Sequence, residues 1–141
     1  MQNSVAHTVS PEQALIYVMV TMSGVEGRIN NTELKEIGHI VQSLPVFKGF
    51  ERARLTTVAQ EVGEMLQEPE GLRAVLGLVR DALPQRLRET AYALAVEVAA
   101  SDLAVGKEEL RFLAILRDAL ELDKLVTAAI ERSAIARYQS V

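Results

Sequence analysis

No cysteine occurs anywhere in the 141 residues, which removes disulfides, thiol nucleophiles and thiolate metal sites together. Histidine is nearly as scarce. His7 and His39 are far apart and lack a ligand-spaced partner, so zinc and other metals that favour imidazole are poorly served. Tryptophan is absent and aromatics make up only 4%, leaving Ala, Val, Leu and Ile to build the core. No uncharged apolar run reaches the roughly 18 residues that a membrane-spanning helix needs. The opening MQNSVAHTVS has neither a basic nor an apolar leader region, so it does not read as a signal peptide. A cytoplasmic domain is the expectation.

Excess positive charge is also missing. The formal net charge is −4, whereas binding to phosphate backbones calls for a basic stripe. Arg52, Arg54, Arg73, Arg80, Arg86 and Arg88 are dispersed among acids, as on solvated helix surfaces. Nucleic acid is therefore not expected as a partner. Nor is there a serine–histidine pairing or a glycine-rich phosphate loop to suggest an enzyme.

What is present is a repeat. Val25 to Leu34 reads VEGRINNTEL, and 76 residues later Ser101 to Leu110 reads SDLAVGKEEL. The same offset pairs Val20 with Val96, Ile29 with Val105, Leu34 with Leu110, Ile37 with Leu113, Ile40 with Leu116 and Leu44 with Leu120. Matching core positions at one offset mark two copies of a helix–turn–helix unit, spanning about 14–47 and 90–123.

Helix signals fill the rest of the chain. Residues 1–9 read as a flexible tail, and 10–141 as one domain. Ser10, Pro11 and Gln13 form a helix start with a capping box, opening a helix to about Ser23 that is apolar nearly all round. Gly24 and Gly27 bracket its end. Asn30 and Glu33 signal the next start, with Leu34, Ile37, Ile40, Val41 and Leu44 as the buried stripe and His39 on the exposed side. Pro45 ends that helix. Phe47 and Phe50 follow as plugs of the core, or alternatively as a partner-facing patch.

Further helices are expected over about 52–67, 70–81, 84–100, 107–121 and 124–138, the last with Leu125, Val126, Ala129, Ile130 and Ile135 inward. In the fifth helix, Glu97 lies along one side with Thr90 and Ser101. That side reads as a polar seam, and a site carboxylate is the sharper alternative. With no alternating strand pattern, the chain is predicted to be all-α, about seven helices in a compact bundle built from two related halves.

Each copy of the repeat carries one acid in the turn, Glu26 or Asp102, and another seven positions later in the first turn of the next helix, Glu33 or Glu109. Two carboxylates joined by so short a loop, with carbonyl and hydroxyl oxygens from Asn30, Asn31 and Thr32 at hand, suit a hard cation such as Ca²⁺ or Mg²⁺. The alternative is structural: Glu33 and Glu109 as helix caps. The loop is not an EF-hand. Counted from Glu26, the third residue is Arg28 and the twelfth is Ile37, where a bidentate Glu is needed.

An acid-Gly-x-Ile-x-x-x-Glu-Leu pattern behind an apolar helix, met twice in an all-helical chain, resembles the TerB-like tellurite-resistance family, from Ser10 to about Tyr138. The resemblance implies a helical bundle of two related halves and no enzymatic activity. It also implies a link to tellurite, phage and envelope stress responses, and a divalent-metal site at the acids Glu26, Glu33, Asp102 and Glu109. Two positions depart from the family pattern. Glu26 replaces the usual Asp and lengthens the ligand reach, and Leu103 replaces the usual Gly, with Gly106 three residues on to supply backbone freedom. The first acidic pair is the better formed of the two. The role implied is a stress-response domain that docks to protein partners. The alternative is a helical protein-interaction module without metal.

Overall fold

The computed structural model describes residues 8–25, 27, 31–101 and 105–141. Seven α-helices and no strands appear among them: α1 (Pro11–Gly24), α2 (Asn31–Ser43), α3 (Leu55–Leu66), α4 (Gly71–Ala82), α5 (Arg88–Ala100), α6 (Lys107–Ala119) and α7 (Lys124–Arg137). Short 3₁₀ turns at Pro45–Phe47, Arg52–Arg54 and Gln85–Leu87 link some of them. Residues 52–54 and 85–87 thus lead into α3 and α5 as tighter turns, where the sequence pattern alone suggests α-helix throughout.

The α1 start forms as its residues dictate. The Gln13 amide donates to Ser10 Oγ at 3.1 Å, and Gln13 Oε1 accepts from the Ser10 amide at 2.9 Å. Just upstream, Val9 packs against the core, although the sequence reads it as part of a flexible tail; residues 1–7 lie outside the described residues. Downstream, Ala14 through Ser23 are buried without interruption. Only a helix enclosed on all sides can be apolar all round. The enclosure comes from α5, α3, α4 and α2, which all pack on α1. Past its end, Gly27 takes φ +96°, a left-handed conformation that costs glycine little.

The second central helix is α5, packed against α1, α7, α6 and α2. The 76-residue offset is visible here in three dimensions: shifted by it, the bounds of α2 become those of α6, 107–119. The cover over α1 is apolar, with Val58 and Val62 on α3 and Val75 and Val79 on α4 all buried. A close backbone approach joins these two covers, because a Cβ built on Gly71 would lie 2.0 Å from the Met65 carbonyl oxygen. Phe47 is buried and meets Phe50 edge-on at 6.3 Å, with Arg54 stacked 5.9 Å from the Phe50 ring.

The cover over α5 differs from expectation. The inward face of α7 is Thr127, Ile130, Glu131, Ala134 and Tyr138, with Val126 partly buried. Of the expected set Ile130 packs against the core, while Leu125, Ala129 and Ile135 are exposed. Hydrogen bonds select that face. Tyr92 on α5 donates to Glu131, and Tyr138 donates to Glu97 Oε2 at 2.7 Å. The buried Tyr92 and the half-buried Tyr138 each find a polar partner in this rotation of α7.

Candidate functional site

The two turns that carry the acids join α1 to α2 and α5 to α6. Glu26 and Asp102 lie outside the described residues, as do Asn30, which the sequence offers as the cap of α2, and Leu103. Glu33 and Glu109 are described, and they occupy matching places in the first turns of α2 and α6. Each is only 2% exposed.

Their neighbours behave in the opposite way. Leu34 is 43% exposed and Leu110 is 59% exposed, although the sequence pattern puts both in the buried stripe. The reason is rotational. The inward residues of α2 are Glu33, Ile37, Ile40 and Val41, and those of α6 are Glu109, Phe112, Leu113 and Leu116. Stepping back four from Ile37 or Leu113 lands on the acid, whereas stepping back three lands on the leucine. Both steps are helical neighbours, and packing selected the first. Reading the stripe backwards in steps of four would have found both buried carboxylates.

Glu109 Oε1 accepts a hydrogen bond from the Gly106 amide at 2.9 Å, one arm of a capping box. Gly106 itself is extended, with φ −90° and ψ 177°, so it serves as the N-cap rather than as a flexible substitute for the glycine missing at Leu103. The helix N-terminus offers partial positive charge to each carboxylate. Capping by itself does not require such burial: Asp123 caps α7 by accepting from the Leu125 amide at 2.8 Å while remaining exposed. Among the described residues, no group of three or more acids or histidines is placed to hold a metal.

Two clefts flank α7. The first, about 400 Å³ between α2, α5 and α7, is lined by Glu36, His39, Ile40, Glu97, Ser133 and Arg137. His39 is exposed, as its helical position predicts. Glu97, the candidate seam carboxylate, binds Arg137 and Tyr138 at the edge of this cleft, and Ser101 turns back to the Val98 carbonyl. The second cleft, about 390 Å³ between α5, α6 and α7, is apolar and includes Val105, Leu110, Leu113 and Ile135.

The three tyrosines register their acidic partners. Burial first, then the hydrogen bond and charge of Glu97, push the Tyr138 phenol up to about 12. Tyr92 is raised further, by burial and then by Glu131, with Arg117 opposing. Tyr17 is raised by burial and by Glu61, which accepts its hydroxyl at 3.4 Å. No helix among the described residues is long and apolar enough to cross a membrane. In comparisons with known proteins, no family model, no curated protein and no solved structure matches this chain.

Proposed function

We propose that this chain is a non-enzymatic, TerB-like cytoplasmic domain of a stress or tellurite-resistance response. In this reading it holds a divalent cation, Ca²⁺ or Mg²⁺, at the acidic turns and serves as a scaffold for protein partners. One observation carries the reading: Glu33 and Glu109 are both buried at matching places while the leucines beside them face solvent. Dehydrating a carboxylate costs several kcal/mol unless positive charge and hydrogen bonds compensate. A hard cation bound by Glu33 with Glu26, and by Glu109 with Asp102, would add to that compensation through oxygen ligands.

The test is thermal unfolding of chelator-treated protein titrated with Ca²⁺, Mg²⁺, Mn²⁺ and Zn²⁺. A ligand that binds only the folded state stabilises it by about 2.7 kcal/mol at a hundred times its Kd. The expected result is a dose-dependent rise in Tm with Ca²⁺ or Mg²⁺, lost in Glu26→Gln/Glu33→Gln and reduced in Glu109→Gln. A flat response to all four ions would overturn the cation site. It would favour instead a metal-free interaction module, for which the Gly106–Glu109 capping bond and the exposed Val105, Leu110 and Ile135 argue.

A further inference from the structure

The turn between α6 and α7 is held against its own local preference. Leu120 to Asp123 form it, and Glu121 takes φ +56°, the only positive φ among the described non-glycine residues. The backbone bonds are those of a glycine-type helix stop: the Leu122 amide donates to the Arg117 carbonyl at 3.0 Å, and the Glu121 amide to the Asp118 carbonyl at 3.2 Å. Yet glutamate stands where glycine is favoured, and neither glycine nor proline occurs from Lys107 to Val141. Locally, this stretch is suited to one uninterrupted helix.

Tertiary contacts hold the turn closed. Arg80 on α4 reaches Glu121 Oε2 at 3.1 Å, Arg88 on α5 lies 3.8 Å from Oε1, and Arg88 also donates to the Leu120 carbonyl at 3.2 Å. Within α7 the Asp123 cap adds to this.

The seat of α7 is a trough that the helix under-fills. A cleft remains on each flank, one against α2 and one against α6. Only Thr127 and Ala134 of α7 are buried, and Leu125 is 78% exposed. Besides Ile130 and Ala134, what matches helix to trough is polar: Glu131 to Tyr92, and Arg137 with Tyr138 to Glu97. A second copy of this chain carries the same complementary set.

We propose that α7 exchanges between two copies of the chain, the 120–123 turn straightening so that α6 and α7 run as one helix and each α7 seats in the α2–α5–α6 trough of the other copy. The α5–α7 contacts are the same in both forms. The balance therefore rests on the hinge: relief of the left-handed Glu121 in two chains, with helical bonds gained across it, against the arginine contacts and the entropy of association.

The experiment compares dimer content by size exclusion with light scattering after refolding at high protein concentration, for the wild type, Glu121→Ala and Glu121→Gly. Both variants lose the arginine contacts equally, so their difference isolates the backbone. Alanine favours the continuous helix and glycine favours the turn, and a dimer counts the effect twice. The expected dimer association constant is about tenfold or more higher for Glu121→Ala than for Glu121→Gly. Exchange is identified by Ala93→Cys on one chain and Ser133→Cys on another, which a short thiol cross-linker joins only if α5 of one copy meets α7 of the other. The wild type refolded at high concentration carries the same cross-linking test whether or not either variant folds well. Equal dimer content in the two variants, monomer alone at every concentration, or a dimer that gives no α5–α7 cross-link would overturn the proposal.

Discussion

The two central helices occupy equivalent places in the repeat, yet they are covered by different means. α1 lies under α3 and α4, whose buried side chains are valines, with a longer tyrosine–carboxylate contact, Tyr17 to Glu61 at 3.4 Å. α5 lies under α7, whose contact face mixes Ile130 and Ala134 with Glu131 and Tyr138, the last two bonded to Tyr92 and Glu97. The residues beneath follow the cover. At one repeat position α1 has Thr21, fully buried with no hydrogen-bond partner for its hydroxyl, and α5 has Glu97, at a cleft edge with two partners. Duplication set the frame. The neighbour that packed onto each half decided which polar group could be kept there.

Exchanging those two residues is the harshest way to break the comparison. Thr21→Glu would place a carboxylate in the apolar enclosure of α1 and is expected to cost about 3–5 kcal/mol, the scale for an uncompensated buried charge. The reciprocal Glu97→Thr gives up the bonds to Arg137 and Tyr138 at a partly exposed site, and should cost about 1–2 kcal/mol. Chemical denaturation of both variants checks the asymmetry. Equal losses would mean that the two covers are equivalent after all.

A smaller effect is expected where the apolar cover depends on backbone contact. In Gly71→Ala the new methyl meets the Met65 carbonyl, so α4 must shift away from the end of α3, at about 1–3 kcal/mol. Hydrogen exchange should locate the loosening in α3, α4 and α1, with α5 and α7 unchanged. Loosening spread evenly over both halves would contradict a separate cover for each.

The polar cover is best probed by alkali. Tyr92 and Tyr138 both have their phenols raised above the ordinary value of 10, Tyr138 to about 12. The folded state therefore binds more protons than the unfolded state once pH passes 10. The stability that depends on these protons is present below pH 10 and is lost as pH rises from about 10 through 12. Tyr138→Phe should cost about 1 kcal/mol at neutral pH and flatten the decline in Tm over that window. A wild-type Tm that stays constant from pH 10 to 12 would count against the tyrosine–carboxylate bonds as the fastening of α7.

Much of this was legible in the chain. The capping box at Ser10, the stop at Pro45 and the i, i+3, i+4 stripes predict the seven helices closely, because local backbone preference and amphipathic period act over a few residues. The candidate site was legible in part. Position and spacing single out Glu33 and Glu109, but the rotation that buries them and exposes Leu34 and Leu110 is a choice between two adjacent helical neighbours. A sequence period cannot resolve that choice.

By itself, then, the sequence determined an all-α chain with a duplicated helical pair, a first helix apolar nearly all round and acids at matching turns. Each of these depends on local propensity or on repetition. Only the tertiary structure decided which face of α7 turns inward, that Thr21 and Glu97 meet different covers, and that Glu121 is bent into a left-handed turn by arginines from α4 and α5. Those outcomes depend on groups about thirty to forty residues apart or more, brought together only when the helices pack.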